Sequence, residues 1–470
     1  MTSLALLLAS AEPEVGTGTT ILFGCLLLAM IAGLALEEKL HAKKSVITGV
    51  AAVVCLFLAV NLGIMPEGDP VLEGHKLHLP HWVVGIEWEV IAIILGASLF
   101  VDVTSKSGIF TWIAIKLTKK TGGDPLLLLI AYGVLTVLFS AFLNNVTAMI
   151  IVGSLTAVSL RRLDMSDKLL GFLLVEGLLT NVGGLLTLIS SVPNIIVGQT
   201  AKITFMQFFL VAAPYVVVTT AATLYMAKRI MGIHRLATEE ERVAAKEKVS
   251  GFDENDGIEA RWFFNLSVGM FVLFIVTLAT KDILPFTKGL DMGFIALAFG
   301  GVMLLIYKHE VDKFYASVDW DLLAFFATLF VVIYVMEHAQ VLGKIGLLVA
   351  ELIAMGDKVG TLALLWAAAG FSSVTDNIPL SAMLAKILAA NPDVPADYKA
   401  MQWWAVVFGS NLGGNLTPIG SASTVVAVTI MAKHKVPLSF LGFVKRAAPF
   451  AIMQLVIASV YIMIVGLILN

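Results

Sequence analysis

Two stretches of this chain, 230 residues apart, are near-copies: Thr180-Asn181-Val182-Gly183-Gly184-Leu185-Leu186-Thr187 and Ser410-Asn411-Leu412-Gly413-Gly414-Asn415-Leu416-Thr417. Both lie inside apolar runs long enough to cross a bilayer. Glycine pairs and bare amides are poor helix formers there, and they are costly to bury unless a cavity or an ion takes up the freed backbone groups. The pattern predicts a duplicated membrane protein in which each half breaks one helix at a central site.

Composition agrees. Of the 470 residues 59% are hydrophobic and 14% charged, whereas soluble domains carry roughly 25% charged residues. The net charge of −3 is too small to suggest a nucleic-acid partner, and Lys and Arg gather at the ends of apolar segments, where they report topology. Cys25 and Cys55 fall in separate apolar runs, so neither a disulfide framework nor a thiolate metal site is expected. The apolar start before Ala9-Ser10-Ala11 lacks a basic leader, and a cleaved signal is not expected.

The basic flanks give one self-consistent threading with both termini external. Spans are predicted near 20–36, 45–64 and 89–103. Residues 125–160 are almost continuously apolar; as one helix they would reach roughly 54 Å against a ~30 Å hydrocarbon core, so they must fold back, with the turn at Asn144-Asn145. A broken span at 169–198 and another at 205–227 lead into the charged linker 228–262, predicted cytoplasmic. Spans near 263–279, 289–307 and 321–335 follow. A second hairpin at 361–385 turns at Asp376-Asn377, a broken span covers 402–432, and a last span is predicted at 447–469 after Lys445-Arg446. The loops near 65–88 and 387–400 should be external.

The duplication extends beyond the glycine pairs. Thr204-Phe205-Met206-Gln207-Phe208-Phe209-Leu210-Val211-Ala212-Ala213-Pro214 matches Ser439-Phe440-Leu441-Gly442-Phe443-Val444-Lys445-Arg446-Ala447-Ala448-Pro449. Leu210-Val211 becomes Lys445-Arg446, the mark of a segment repeated with opposite orientation. The predicted fold is therefore an all-α polytopic membrane protein of two inverted-topology repeats, each with a re-entrant hairpin and a discontinuous helix. The expected divisions are 1–84 (N-terminal scaffold helices), 85–227 (first repeat), 228–262 (linker), 263–317 (further scaffold helices) and 318–470 (second repeat).

Each half offers two non-helical elements. The hairpin tips carry Asn144, Asn145 and Thr147 in the first half and Asp376 and Asn377 in the second. The broken spans carry Asn181, Gly183, Gly184, Thr187, Ser190, Ser191 and Asn194, matched by Asn411, Gly413, Gly414, Thr417, Ser421, Ser423 and Thr424. Short polar side chains at a helix break cap half-helix N-termini, whose N–H groups attract an anion, while freed carbonyls suit a cation. With hydroxyls and amides dominating and His and Cys absent, the set argues against a transition-metal cofactor and for a hydrated ion or oxyanion. Asp376 and Glu176 lie deep in apolar sequence, where a buried charge costs ~3 kcal/mol or more and often carries protons or cations; both are candidate coupling carboxylates, Glu176 equally a brace for the neighbouring break. For each single residue the bland alternative is a capped bend or close helix packing. Its recurrence in both halves favours a site.

These motifs resemble the ion transporter superfamily: the citrate and dicarboxylate carriers, the arsenite efflux pumps, the D-type sodium/proton antiporters and the melanosomal P protein. The residues that carry the likeness are Ser140-Ala-Phe-Leu-Asn-Asn-Val-Thr, Glu176 with Thr180-Asn-Val-Gly-Gly, Pro193-Asn194, Asp376-Asn-Ile-Pro and Asn411-Leu-Gly-Gly. They are most similar to the P protein and arsenite-pump branch. The resemblance implies a homodimer with a fixed scaffold and a moving transport domain built from the two hairpins and two unwound helices. In two places the chain departs from that branch. Asn144-Asn145 stands where Asp-Asn is usual, and Ser190-Ser-Val-Pro-Asn where Gly-Asp-Pro-Pro-Asn is common.

Those readings predict a secondary active transporter of a small inorganic or organic anion or metalloid oxyanion, coupled to protons or sodium, with sodium candidates at Asn145 and Asn377 and no other cofactor. The alternatives are a sodium/proton antiporter and, further off, an anion channel. An enzyme is disfavoured, because no metal-ligand cluster, nucleophile with base, or phosphate loop appears in the spans. The expected location is a bacterial inner membrane.

Overall fold

The computed structural model describes residues 15–66, 71–72, 75–76, 78–255, 257–436 and 438–469. The N-terminal stretch bearing on a cleaved signal lies outside the described residues, as does part of the 65–88 loop. What is described is helical apart from one two-residue hairpin, β1 (Val71–Leu72) paired antiparallel with β2 (His75–Lys76).

The helices, in chain order, are α1 (Thr17–Ala35), α2 (Lys44–Asn61), α3 (Trp88–Ser105), α4 (Ile109–Lys120), α5 (Pro125–Ser140), α6 (Asn145–Arg162), α7 (Leu169–Gly183), α8 (Val192–Thr200), α9 (Phe205–Ile230), α10 (Glu239–Ser250), α11 (Arg261–Thr280), α12 (Met292–Ile306), α13 (Trp320–His338), α14 (Val341–Ala354), α15 (Asp357–Ser372), α16 (Asn377–Ala390), α17 (Met401–Gly413), α18 (Ala422–Lys433) and α19 (Phe440–Leu469), with four-to-seven-residue turns of helix between some of them. Among the described residues seven, α1, α2, α3, α9, α11, α13 and α19, are long and apolar enough to cross a membrane. Their outward faces keep large apolar side chains in contact with the surroundings, among them Phe57, Val217, Val272 and Leu467. Lipid, not water, is the solvent for which such faces are built. The protein is an integral membrane protein.

Two compact units are formed. In the unit comprising residues up to 91 with 319–351, α2 packs on α1 and α13. Ser45 Oγ donates to the Asp321 carboxylate and Thr48 Oγ1 lies 2.7 Å from Thr328 Oγ1, so these helices are pinned by polar contacts, which lipid does not weaken as water does. The unit comprising 92–318 and 352–470 holds both hairpins and both broken helices.

Local chemistry explains where the hairpins turn. Asp124 caps α5, accepting from Leu126 N and Leu127 N with Pro125 at the first helical position. After Ser140 the chain makes a tight turn, and Asn144 caps α6 by accepting from Thr147 N at 2.7 Å. In the second hairpin Asp376 caps α16, accepting from Ile378 N at 2.9 Å, and Pro379 sits in its first turn. Both hairpin turns fall where the sequence places them. The broken helices end at Gly183 and Gly413 and resume at Val192 and Ala422. A β-carbon on Gly183 would come 2.7 Å from Val137 Cα and O, and one on Gly413 would come 2.3 Å from Ala369 O. Glycine is therefore required at each break by the close approach of the hairpin helix beside it.

Two boundaries differ from the sequence reading. The last span begins at Phe440, not 447, so Lys445 and Arg446 lie inside α19 on an exposed face; their charged heads leave apolar surface while the stems stay on it. The linker is ordered as a strap, with α10 opened by a Thr238–Glu241 capping box. The strap is fastened to hairpin 1: Leu236 N donates to Asp124 Oδ2 at 3.2 Å, Lys248 Nζ pairs with Asp164 Oδ2 at 2.6 Å, and Arg162 lies 4.6 Å from the Phe252 ring centre.

Candidate functional site

The near-copied segments fold into near-copied contacts. Ser140 Oγ is 2.6 Å from Thr180 O, and Ser372 Oγ is 2.5 Å from Ser410 O. Thr187 Oγ1 donates to Ala141 O, and Thr417 Oγ1 to Ser373 O. Each hairpin tip is thus stapled to the break of its own half by the same two hydroxyl–carbonyl bonds. Gly183 and Gly413 approach equivalent points on α5 and α15.

Between the halves the contacts cross. Ser191 Oγ, just before α8, donates to Asn411 Oδ1 at 2.7 Å, and Ser421 Oγ, just before α18, donates to Asn181 Oδ1 at 2.9 Å. At the level of helices α18 packs on α6 and α7, and α8 packs on α16 and α17. A contact in which residue i of one half meets j of the other, and j of the first meets i of the second, is the mark of a two-fold relation.

The crossing has a chemical consequence. Ser191 and Ser421 occupy the N-cap positions of α8 and α18, yet neither makes a side-chain cap bond. Their hydroxyls are turned to the opposite half. No side chain caps either half-helix: the Asn194, Ile195, Thr424 and Val425 N–H groups go to Ser191 O and Ser421 O and Pro193 has none, which leaves Val192 N–H on α8 and Ala422 and Ser423 N–H on α18 at the positive end of the helix dipole. Hairpin helices α6 and α16, by contrast, are capped by Asn144 and Asp376.

Asn181 Oδ1 is crowded. It takes Ser421 Oγ at 2.9 Å, Asn145 Nδ2 at 3.2 Å and Ser423 Oγ at 3.3 Å. An amide oxygen has two lone pairs, and Ser421 Oγ and Ser423 Oγ also lie 2.9 Å apart, so one of the two hydroxyls can donate to the other. On the other side of the cross Asn411 Nδ2 donates to Asn194 Oδ1 at 3.0 Å and Val407 O at 2.8 Å.

These residues therefore form two hydrogen-bonded clusters, Asn145, Asn181, Ser421 and Ser423 in one and Ser191, Asn194 and Asn411 in the other, each made across the two halves. Asn144 and Asp376 hold helix ends at the hairpin tips, while Thr147 contributes the N–H that Asn144 caps. Asn377 has its backbone oxygen bonded by Ser381 Oγ. Several of the freed carbonyls have side-chain partners. Gly184 O accepts from Asn194 Nδ2 at 2.6 Å and from Ser190 Oγ, and Thr187 O from the same two side chains. In the second half Thr424 Oγ1 bonds Pro418 O and Ser421 O. Four backbone oxygens at the breaks, those of Gly184, Thr187, Pro418 and Ser421, are thus engaged by side chains. Gly184 and Gly414 line the breaks themselves: a β-carbon would meet Asn145 Oδ1 at 2.9 Å and Gly420 O at 2.7 Å, respectively.

Glu176 is fully buried on α7. Its Oε1 accepts from Thr156 Oγ1 of α6 at 2.6 Å, and Oε2 is buried with no hydrogen-bond partner. This arrangement ties the carboxyl to hairpin 1 and leaves one oxygen unused.

Sequence reasoning missed Thr156, and it missed Asn415, Gln454 and Thr223, which are buried and hydrogen-bonded in sequence behind Asn181. Two signals were present. Asn415 stands where the near-copy has Leu185, and Gln454 is a lone amide in an apolar span, a placement that in lipid demands a partner.

Twin hairpins and twin broken helices around two polar clusters inside an integral membrane protein define a solute carrier of the secondary-transporter class. A family model described as CitMHS, citrate transporter, matches residues 26–409, and the chain belongs to that family. It is 28% identical over 428 residues to an uncharacterised transporter of Mycobacterium bovis, covering 91% of this chain and 94% of that one. It is 23% identical over 545 residues to the P protein of Mus musculus, covering 98% of this chain and 62% of that protein. In fold it is similar to the YdaH transporter of Alcanivorax borkumensis (TM-score 0.58, 13% identity, 90% of this chain and 98% of that chain). A second similar structure is Neisseria gonorrhoeae MtrF, described as one of a class of antimetabolite efflux pumps (TM-score 0.54, 13% identity, 89% and 94%).

Proposed function

We propose that this protein is an ion-coupled secondary active transporter of a small anion, inorganic or organic, driven by protons or sodium and working by an elevator-type movement of the hairpin-bearing unit. One observation carries the reading: the two inner half-helices, α8 and α18, present uncapped N-termini because Ser191 and Ser421 reach across to Asn411 and Asn181. N–H groups that no side chain caps, beside the hydroxyls of Ser191, Ser421 and Ser423, are the chemistry of anion recognition. Engagement of the break carbonyls by Ser190, Asn194 and Thr424 tilts the same balance away from a cation cargo. Membership of a citrate transporter family makes carboxylates the first substrates to try.

Coupling is assigned to Asp376 and Glu176, with sodium, if it is the coupling ion, at Asn145 and Asn377. The two halves are read as inverted repeats, the assembly as a homodimer, and the location as a bacterial inner membrane. The measurement is uptake into proteoliposomes of citrate, dicarboxylates, phosphate and arsenite under imposed proton or sodium gradients. A saturable, gradient-dependent flux of at least one anion is expected. Sodium/proton exchange with no anion requirement would replace this reading by the antiporter, and a non-saturating flux independent of counter-ion by a channel.

A further inference from the structure

Asn181 is held by a line of buried amides that its counterpart Asn411 lacks among the described residues. Asn181 Nδ2 donates to Asn415 Oδ1 at 2.8 Å, Asn415 Nδ2 donates to Gln454 Oε1 at 2.7 Å, and Gln454 Nε2 donates to Thr223 Oγ1 at 3.1 Å. All four side chains are buried. The line runs from the break of the first half, through that of the second, to α19 and α9.

Its direction is set at one point. Asn415 Nδ2 also donates to Leu178 O at 3.1 Å. A backbone carbonyl only accepts, so the nitrogen of Asn415 must face it, and the Asn415 oxygen must face Asn181. Asn181 in turn has to offer nitrogen to Asn415 and oxygen to Ser421, Ser423 and Asn145. Turning the Asn181 amide over would set two acceptor oxygens against each other in a buried site, at the full cost of an unmet polar group.

We infer that Asn415 is a positioning residue, which fixes the Asn181 amide with its oxygen toward Ser421, Ser423 and Asn145. That oxygen gathers the donors of Ser421, Ser423 and Asn145 on one point, from which a substrate oxygen takes them over. The inference rests on the reading of Asn181 as a ligand-facing residue. It also accounts for the broken repeat at Asn415: the partner amide Asn411 is anchored within its own helix by Val407 O and by Asn194, and needs no such line.

The test requires no substrate. Magic-angle-spinning NMR is recorded on the full-length protein in lipid bilayers, with asparagine and serine isotopically labelled and the Asn181 signals assigned by their loss in Asn181→Ala. The expected result is one Asn181 amide signal, with Nδ2 in contact with Asn415 Cγ and not with Ser421 Cβ. In Asn415→Leu, which installs the residue of the other repeat, a second Asn181 signal should appear with Nδ2 in contact with Ser421 Cβ. If Asn415→Leu does not fold, Asn415→Ala is read the same way, while Gln454→Glu should keep the single signal, since Leu178 O and a carboxylate acceptor both still hold the Asn415 nitrogen. A wild-type Nδ2 contact to Ser421 Cβ, or one unchanged orientation in the Asn415 variant, overturns the inference. Unchanged anion flux in Asn181→Ala would instead end the reading of the site and leave the orientation result standing.

Discussion

At the scale of single residues, the two hairpin tips differ by one charge and share one structural task. Asp376 and Asn144 each cap the helix that follows, and Asp and Asn are nearly equal as caps. Exchanging them therefore changes charge and spares the fold. Asp376→Asn should keep thermal stability within about 0.5 kcal/mol of wild type while abolishing gradient-driven uptake in proteoliposomes; ion-dependent uptake at the wild-type rate would move coupling to Glu176. Asn144→Asp adds a charge at the other tip. It should weaken anion affinity, or strengthen sodium affinity if sodium is the coupling ion, as measured by flux at fixed pH across sodium concentrations. No change in either would take this tip out of the binding region. The glycine pairs show what a sequence read alone conveys at this scale. Gly183 and Gly413 announce a break because nothing else about an apolar run calls for them, but the reason, a 2.7 Å and a 2.3 Å approach to the neighbouring hairpin helix, needs the partner helix in view.

At the scale of elements, the hairpin turns and the helix breaks were legible because short polar residues and glycine inside apolar runs have few structural uses in lipid. The start of α19 was not. Lys445 and Arg446 look like a terminus, and only the exposed face they occupy reveals that the helix continues through them. The crossing of Ser191 and Ser421 was hidden for a different reason: a serine before a half-helix reads as its cap, and which acceptor it takes depends on how the two halves pack. Stapling of hairpin to break yields a prediction. Gly413→Ala drives a methyl into the backbone of α15 and should destabilise by about 1–3 kcal/mol, as overpacking does. Gly370→Ala, in the last turn of α15 but with open space at its β-carbon, should instead stabilise by about 0.4–1 kcal/mol. Thermal unfolding in detergent followed by intrinsic fluorescence reads both; equal shifts of the same sign would refute close α15–α17 packing at the break.

At the scale of the whole molecule, the two-fold relation and the linker strap together set the topology. Leu236, Lys248 and Phe252 bind the feet of hairpin 1 at Asp124, Asp164 and Arg162, so hairpin 1 enters from whichever side the linker occupies. The linker's basic flanks predict that this side is cytoplasmic. The feet of hairpin 2 carry Asp357 and Asp393 beside Lys358, a more acidic set, and the proposed inversion predicts that they lie outside. A single cysteine at Ser250 in the strap and another at Ala396 beyond hairpin 2, both exposed positions, are introduced one at a time after Cys25 and Cys55 are replaced by alanine. In intact bacterial cells a membrane-impermeant maleimide should label position 396, and should reach position 250 only after permeabilisation. Equal labelling of both from outside would set the hairpins on one face, and an inverted repeat would then be untenable however closely the two halves match in their contacts.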